Sequence, residues 1–141
     1  MRRVVLLLSL ISIVALVSCQ TDQEKQQEAK EEKRNEAILT MNDELDFILA
    51  TDSFVNVWDI EDHILYDEEI DEESLFMFTD EYIMNQEKFD SLNEEEQNLV
   101  MSTGLIINKF LKDEYEDKSL LENDVKKYYE VLKTGEGIMS E

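Results

Sequence analysis

The side chains that could do chemistry are of few kinds. The chain of 141 residues holds one cysteine, Cys19, one histidine, His63, and 35 carboxylates. A single histidine cannot form a His–His metal pair, and any histidine-assisted nucleophile would depend on His63 alone. Ser53, Ser91 and Ser102 lie outside any G-x-S-x-G motif, and no glycine-rich phosphate loop is present. We therefore expect a structural His63, no cofactor and no catalytic residue.

Carboxylates are so numerous that some close pairs are inevitable, and no particular pair is informative. An enzyme built on two acids remains a remote alternative, which would require a concave pocket with two acids of raised pKa. The acidic runs 67–73 and 113–117 supply the hard oxygen ligands that calcium prefers. Neither run has the glycine at position 6 and the glutamate at position 12 of an EF-hand loop. The sequence predicts no metal site.

One aromatic residue has an unusual setting. Trp58 is followed by Asp59, Glu61 and Asp62. An exposed tryptophan among acids could bind basic side chains through cation–π and ionic contacts, whereas a buried one would belong to the core. Core burial of Trp58 is the favoured interpretation, and these four residues are the candidate partner patch if Trp58 is exposed.

The first 19 residues have the layout of an export signal. Arg2 and Arg3 precede an apolar run from Val4 to Val17, which is shorter than the roughly 20 residues that span a bilayer. The string L-V-S-C that ends at Cys19 resembles the lipobox of bacterial lipoprotein precursors. The resemblance covers these residues only and implies cleavage after residue 18, diacylglycerol on the Cys19 sulfur and further acylation such as palmitate. It implies a membrane-anchored lipoprotein of the bacterial cell envelope, exported from the cytoplasm.

The negative charge of the chain disfavours some classes of binding partner and suits others. The net charge is −22, and removal of Arg2 and Arg3 with the signal brings it to −24. Nucleic-acid binding needs a basic patch, but the mature chain would hold one arginine, Arg34, and lysines scattered among acids. We expect no nucleic-acid partner. An acidic surface suits a basic protein or peptide, or it serves solubility alone.

Residues 19–36 are predicted to form a lipidated N-terminus and a polar tether, because from Gln20 to Glu36 the only apolar side chain is Ala29. Good helix formers predominate there, so the tether could be a helical stalk. A helical domain is predicted over 37–135 and a flexible tail over 136–141.

Apolar residues at spacings of three and four predict the helices of this domain. The first is expected over 37–50 (Ile38, Met41, Leu45, Ile48, Leu49) and the second over 54–66, where F-V-N-V-W could also alternate as a strand. A third should run from Leu75 through Phe78 and Tyr82 to Phe89 and end near Asp90, after an acidic loop or helix start at 67–73. Most aromatic side chains, Phe76 among them, are expected in the core.

Two more helices have predicted caps. Asn93 with Glu96 forms a capping-box pattern before an apolar stripe of Leu99, Val100, Thr103, Ile106, Ile107, Phe110 and Leu111. Ser119 with Glu122 forms another before Leu121, Val125, Tyr128 and Leu132. Lys133 and Gly135 are expected to end the last helix. The chain has no proline and three glycines. We therefore predict an all-α fold, a small bundle of four to five short amphipathic helices preceded by a polar, possibly helical tether.

The sequence favours a non-catalytic envelope lipoprotein whose acidic helical domain binds a protein or peptide partner, and the acidic surface predicts a cationic one. The alternative is a structural or spacer lipoprotein without a specific ligand. The choice between inner and outer membrane, the partner's identity and the oligomeric state stay open.

Overall fold

A computed structural model of the chain describes residues 22, 24–25 and 28–137. The predicted signal peptide (1–18), the predicted lipidation site Cys19 and residues 138–141 of the predicted tail lie outside the described residues. Every regular element in the described part of the chain is helical, and none of it is a strand. The predicted all-α class is therefore confirmed, and the strand alternative for 54–66 is wrong.

The chain divides into two units, Met1–Leu39 and Thr40–Glu141. In the first unit, residues 22, 24–25 and 28–39 are helical, and we name this segment α1. Its described side chains are exposed or half-exposed, and Leu39 at its end is 84% exposed. Among the described helices, none has the length and apolar content that a membrane span requires.

The second unit, which we call the helical domain, contains five α-helices and a π-helical turn. They are α2 (Phe47–Tyr66), α3 (Glu72–Phe78), the π turn (Thr79–Ile83), α4 (Gln86–Ser91), α5 (Glu94–Leu111) and α6 (Lys118–Thr134). Helices α2, α5 and α6 pack against one another, α3 packs on α2, and the π turn packs on α5. This is the predicted small helical bundle.

The core lies where α2, α5 and α6 meet. Side chains that are almost wholly buried come from each of these helices and from α3: Leu49, Val57, Ile60, Leu75, Leu99, Val100, Ile106, Ile107, Leu121, Tyr128, Val131 and Leu132. The predicted stripes of α5 and α6 supply most of them. Burial of each such side chain contributes roughly 1.5–3 kcal/mol, so these stripes hold the bundle together.

The ends of α5 and α6 show which caps the chain uses. Asn93 Oδ1 accepts from the Glu96 amide and Glu96 Oε2 accepts from the Asn93 amide, both at 2.9 Å, so the first predicted capping box is confirmed. The second, at Ser119, is wrong. Asp117 caps α6 instead, because its carboxylate accepts from the Ser119 amide at 2.9 Å and the helix begins at Lys118. Gly135 ends α6 at φ 72°, as predicted.

The predicted single helix over 37–50 is wrong. Helix α1 ends at Leu39, residues 40–46 form turns, and α2 begins at Phe47. Side-chain bonds that compete with a continuous helix account for the break, since Asn42 Oδ1 accepts from the Glu44 amide and Asp46 Oδ1 accepts from the Leu49 amide. Leu49 is buried, whereas Ile48 is 66% exposed.

The predicted long helix over 75–90 is also interrupted. The Met84 amide donates to the Thr79 carbonyl at 2.9 Å, which closes a π-helical turn, and Asn85 then caps α4 by accepting from the Lys88 amide at 3.0 Å. Leu75, Phe78 and Tyr82 are buried as predicted, but Phe76 points outward and is 51% exposed.

Candidate functional site

The charges of the helical domain are unevenly distributed along the chain. Residues 40–87, which hold α2, α3 and the π turn, contain 16 carboxylates and neither lysine nor arginine. Residues 88–137 contain 12 carboxylates and seven lysines. The strongest negative field of the domain therefore arises from its first half, where His63 is the one group that could carry a positive charge.

The carboxylates among the described residues of the helical domain lie at exposed or half-exposed positions, apart from Asp124. Asp124 on α6 is 9% exposed and accepts from Lys109 Nζ at 2.6 Å and from the Tyr115 hydroxyl at 3.0 Å. Burial, and then the nearby charge of Asp124, raise the pKa of Tyr115. This neutralised and hydrogen-bonded cluster joins α5 to α6, so its role is structural.

The predicted partner patch lies in the C-terminal half of α2. Trp58, Asp59, Glu61 and Asp62 are all half-buried, so neither the fully buried nor the fully exposed tryptophan is found. The Trp58 ring centroid lies 5.8 Å from that of Phe54, which in turn lies 6.3 Å from Tyr129 on α6. Spacings of three and four place Trp58, Glu61 and Asp62 on neighbouring positions of one helical face.

Tyr129 extends this patch onto α6. Its hydroxyl donates to Glu61 Oε2 at 3.5 Å, a long hydrogen bond. Burial, followed by the charge of Glu61, raises the pKa of Tyr129, so the hydroxyl keeps its proton as a donor at neutral pH. The patch can therefore present an aromatic surface beside carboxylates, an arrangement that suits cationic groups.

A second acidic cluster surrounds Tyr82 of the π turn. Burial, followed by the charges of Glu81, Asp52 and Asp46, raises the pKa of Tyr82 to about 12. Partial loss of water, and then the charges of Glu81 and Asp46, also raise the pKa of Asp52. Residues from the start of α2 and from the π turn thus bring like charges together, while Lys88 Nζ lies 5.6 Å from the centre of the Tyr82 ring.

Sequence reasoning did not find the Tyr82 cluster. Its members are separated by about 30 positions along the chain, and only the π turn brings Glu81 toward the start of α2. The absence of any lysine or arginine between 40 and 87 was the available signal.

The core contains one polar network with a serine. Ser53 Oγ lies 2.6 Å from Thr103 Oγ1 and 2.8 Å from the Tyr128 hydroxyl, and Thr103 also donates to the Leu99 carbonyl. Ser53 and Thr103 are 0% exposed and Tyr128 is 1% exposed. Burial raises the pKa of Tyr128. A substrate has no route to a serine buried in this way, so the network serves to align α2, α5 and α6.

His63 has the contacts of a structural residue. Its Nδ1 lies 2.7 Å from the Glu68 carbonyl, to which it donates, and its ring meets Phe110 edge-on at 5.6 Å. It thereby ties the end of α2 to the loop that follows. Within the described residues, no group of three or more histidine, cysteine or acidic side chains could hold a metal ion.

Comparisons of the chain with protein-family models, with curated proteins and with solved structures found no match.

Proposed function

We propose that this protein is a membrane-anchored lipoprotein of the bacterial cell envelope, held by lipid on Cys19, and that its acidic helical domain binds a cationic protein or peptide. The observation that carries the binding role is the stretch 40–87, whose 16 carboxylates have no lysine or arginine among them. Those carboxylates lie at exposed or half-exposed positions. A field of one sign attracts ligands of the other sign and speeds their association.

The amount of charge supports binding over simple solubility. A net charge of about 2 to 8 in magnitude keeps a small domain soluble. The precursor carries −22, and self-repulsion at this level opposes folding. A cationic partner would relieve that repulsion, so binding and stability of the domain are expected to rise together.

Helix α1 suits the role of a spacer in this proposal. Its described residues 28–39 alone would span about 18 Å at 1.5 Å per residue. Repulsion from anionic lipid head groups fades over a Debye length of about 8 Å at physiological salt. A helical spacer of this length would allow an acidic domain to stand clear of its membrane.

Anchoring is tested on the full-length chain produced in a bacterial host with an alkyne-labelled fatty acid. The wild type should enter the membrane fraction, carry the label and lose residues 1–18, as read by mass spectrometry of the N-terminal peptide. Cys19→Ser should remain unlabelled and uncleaved, whereas Ser18→Ala, which keeps a small residue before the cysteine, should behave as wild type. Equal labelling of wild type and Cys19→Ser would refute the anchor.

Partner binding is tested by isolating the anchored protein from native envelopes at low salt and then at about 0.15 M salt, where the Debye length is about 8 Å. A single basic protein that mass spectrometry identifies at both salt levels, and that also binds after separate purification, supports the proposal. If all bound proteins dissociate together as salt rises, the alternative of a spacer lipoprotein without a specific ligand is the better account.

A further inference from the structure

The first turn of α2 exposes two large apolar side chains at consecutive positions. Phe47 is 69% exposed and Ile48 is 66% exposed, whereas the next two residues, Leu49 and Ala50, are each 1% exposed. Single exposed apolar residues are common on protein surfaces and need no explanation. Phe47 and Ile48 are consecutive, so they point about 100° apart around α2, and both leave apolar area that the core of the helical domain does not use.

Carboxylates lie next to this pair. Asp52 follows Ile48 by four residues, so both side chains lie on the same side of α2. Asp46 precedes Phe47, and the charge of Glu81 on the π turn helps to raise the pKa of Asp52. We call Phe47, Ile48, Asp52 and Glu81 together the Phe47 surface.

The backbone beneath this surface is firmly held. Asp46 caps α2, and its own amide donates to Glu96 Oε1 at 3.0 Å, which ties the start of α2 to α5. Thr51 Oγ1 donates to the Phe47 carbonyl at 2.7 Å, and Asn93 Nδ2 donates to the Glu44 carbonyl at 3.3 Å. Because the backbone is already fixed, ligand binding at this surface costs little loss of backbone entropy.

We infer that the Phe47 surface docks a segment of the cationic partner that carries both apolar and basic side chains, such as one face of an amphipathic helix. This inference rests on the proposed function and assigns it a site. Apolar side chains of the partner would cover Phe47 and Ile48 while its lysines or arginines lie against Asp52 and Glu81. Recognition of an amphipathic helix through its apolar face is a recurring mode of peptide binding.

Charge argues against other occupants. A second copy of the chain would bring its own 16 carboxylates of 40–87 against the same surface, and like charges in contact cost several kcal/mol. Anionic lipid head groups and nucleic acid would be repelled for the same reason. A segment that is apolar and basic is the occupant that satisfies both parts of the surface.

The test uses the full-length protein in neutral detergent micelles and three labelled 14-residue peptides. The first is an amphipathic peptide of leucine and lysine, the second replaces every leucine by serine at equal charge, and the third is an uncharged serine–glutamine peptide. Affinities are read by fluorescence anisotropy, with empty micelles as the blank. The wild type should bind the leucine–lysine peptide roughly tenfold more tightly than the serine–lysine peptide, because the apolar contacts add to the ionic ones.

The variant Phe47→Ser/Ile48→Ser should lose this tenfold preference and keep its affinity for the serine–lysine peptide. The matched control is Leu111→Ser/Leu120→Ser, which removes two apolar residues that are 40% and 50% exposed in the lysine-bearing half. It should keep the preference. Circular dichroism and thermal unfolding verify that both variants are folded.

A second pair of variants tests the acidic part of the surface. Asp52→Asn/Glu81→Gln should weaken binding of both lysine peptides and flatten its salt dependence, whereas Glu114→Gln/Glu122→Gln, with the same change in charge, should do so less.

The outcomes separate the two proposals. Equal peptide preference in Phe47→Ser/Ile48→Ser and its control would overturn the docking site and leave the cationic partner in place. A wild type that binds the lysine peptides no better than the uncharged peptide would overturn the proposed binding function itself.

Discussion

The two halves of the helical domain, residues 40–87 and 88–137, contribute to one core, but among the described carboxylates the only buried one, Asp124, lies in the second half. In the second half a carboxylate, Asp124, is nearly buried and is neutralised by Lys109 at 2.6 Å. In the first half carboxylates stay near the surface and accept from neutral donors, as Asp46 does from the Leu49 amide and Asp71 from the Glu73 amide. Asp124 in the second half therefore joins two packed helices, whereas Asp46 and Asp71 in the first half keep their charge at the surface.

The largest change in stability is expected when Asp124, the buried carboxylate of the second half, is replaced. Asp124→Asn removes the charge that balances Lys109 and weakens the acceptor of the Tyr115 hydroxyl. We expect a loss of about 2 kcal/mol in the free energy of unfolding, below the usual cost of breaking a fully buried pair because the Lys109 side chain is 29% exposed. Urea denaturation measures it. The control Glu122→Gln, an exposed acid on the same helix, should change stability by less than about 0.5 kcal/mol.

Left-handed residues just after helix ends give a second comparison, since the second half has Gly135 and Asp113 (φ 54°) and the first half has Asp67. In the second half, α6 ends at Gly135 with φ 72°, and an added Cβ would lie 2.8 Å from Glu95 Cβ. Gly135→Ala is expected to destabilise the domain by about 1–2 kcal/mol, because an L residue is strained there and has no space. Thermal and urea unfolding measure the loss. Glu136→Ala, one residue further on, should be nearly neutral, and equal effects of the two would contradict the conformational explanation.

The first half ends α2 in the same conformation without a glycine. Asp67 has φ 58°, and its amide donates to the carbonyls of Asp62 and His63. Asp67→Gly should raise the free energy of unfolding by about 0.5 kcal/mol, since relief of left-handed strain exceeds the entropy that glycine adds to the unfolded chain. Asp67→Ala, which removes the same charge but keeps the strain, should not stabilise. If both variants stabilise equally, removal of the charge is the cause.

Sequence reasoning succeeded best in the second half. Leu99, Val100, Thr103, Ile106 and Ile107 and the cap pair Asn93–Glu96 lie as predicted, because α5 is long and its apolar period is regular. The last two residues of the predicted stripe do not follow it into the core, since Phe110 is half-buried and Leu111 is 40% exposed. In α6 the stripe and Gly135 were found, but the cap was assigned to Ser119 instead of Asp117. Asp, Ser and Glu are all good cap residues, and their order D-K-S-L-L-E allows either start.

The first half was predicted less well for a physical reason. Around 40–46 and 84–85, asparagine and aspartate side chains compete with the helical backbone for its amides, which a count of apolar spacings does not detect. The π turn packs against α5, which lies outside residues 75–90, so these residues alone do not predict it. For the candidate sites, Trp58 and its acids were found because they are close in sequence. The Phe47 surface was missed because Ile48 was assigned to the core.

The smallest expected effects come from one aspartate in each half, Asp52 and Asp117, whose pKa values are shifted in opposite directions. The pKa of Asp52 is raised by partial loss of water and by the charges of Glu81 and Asp46. The pKa of Asp117 is lowered by the hydrogen bond from the Ser119 amide. The folded state therefore binds a proton at Asp52 more tightly than the unfolded chain does, and at Asp117 less tightly.

These directions predict opposite effects. Ionised Asp52 lowers stability at neutral pH, and this loss is relieved as pH falls through its raised pKa. Asp52→Asn should therefore stabilise the domain at pH 7 by a few tenths of a kcal/mol, the usual size of exposed charge effects (about 0.2–1 kcal/mol), and the gain should fade in acid.

Asp117 contributes stability that is present above its unfolded pKa, near 4, and is lost as pH falls through the lowered folded value. Asp117→Asn should destabilise the domain at pH 7, with the difference from wild type shrinking in acid. Urea denaturation midpoints of both variants and of wild type are measured between about pH 3 and 7, a range that includes the ordinary pKa of aspartate. They give the stability difference between each variant and wild type as a function of pH. Curves of the same sign would mean that like-charge crowding at the start of α2 does not distinguish the first half of the domain, and the electrostatic contrast between the halves would then rest on Asp124 alone.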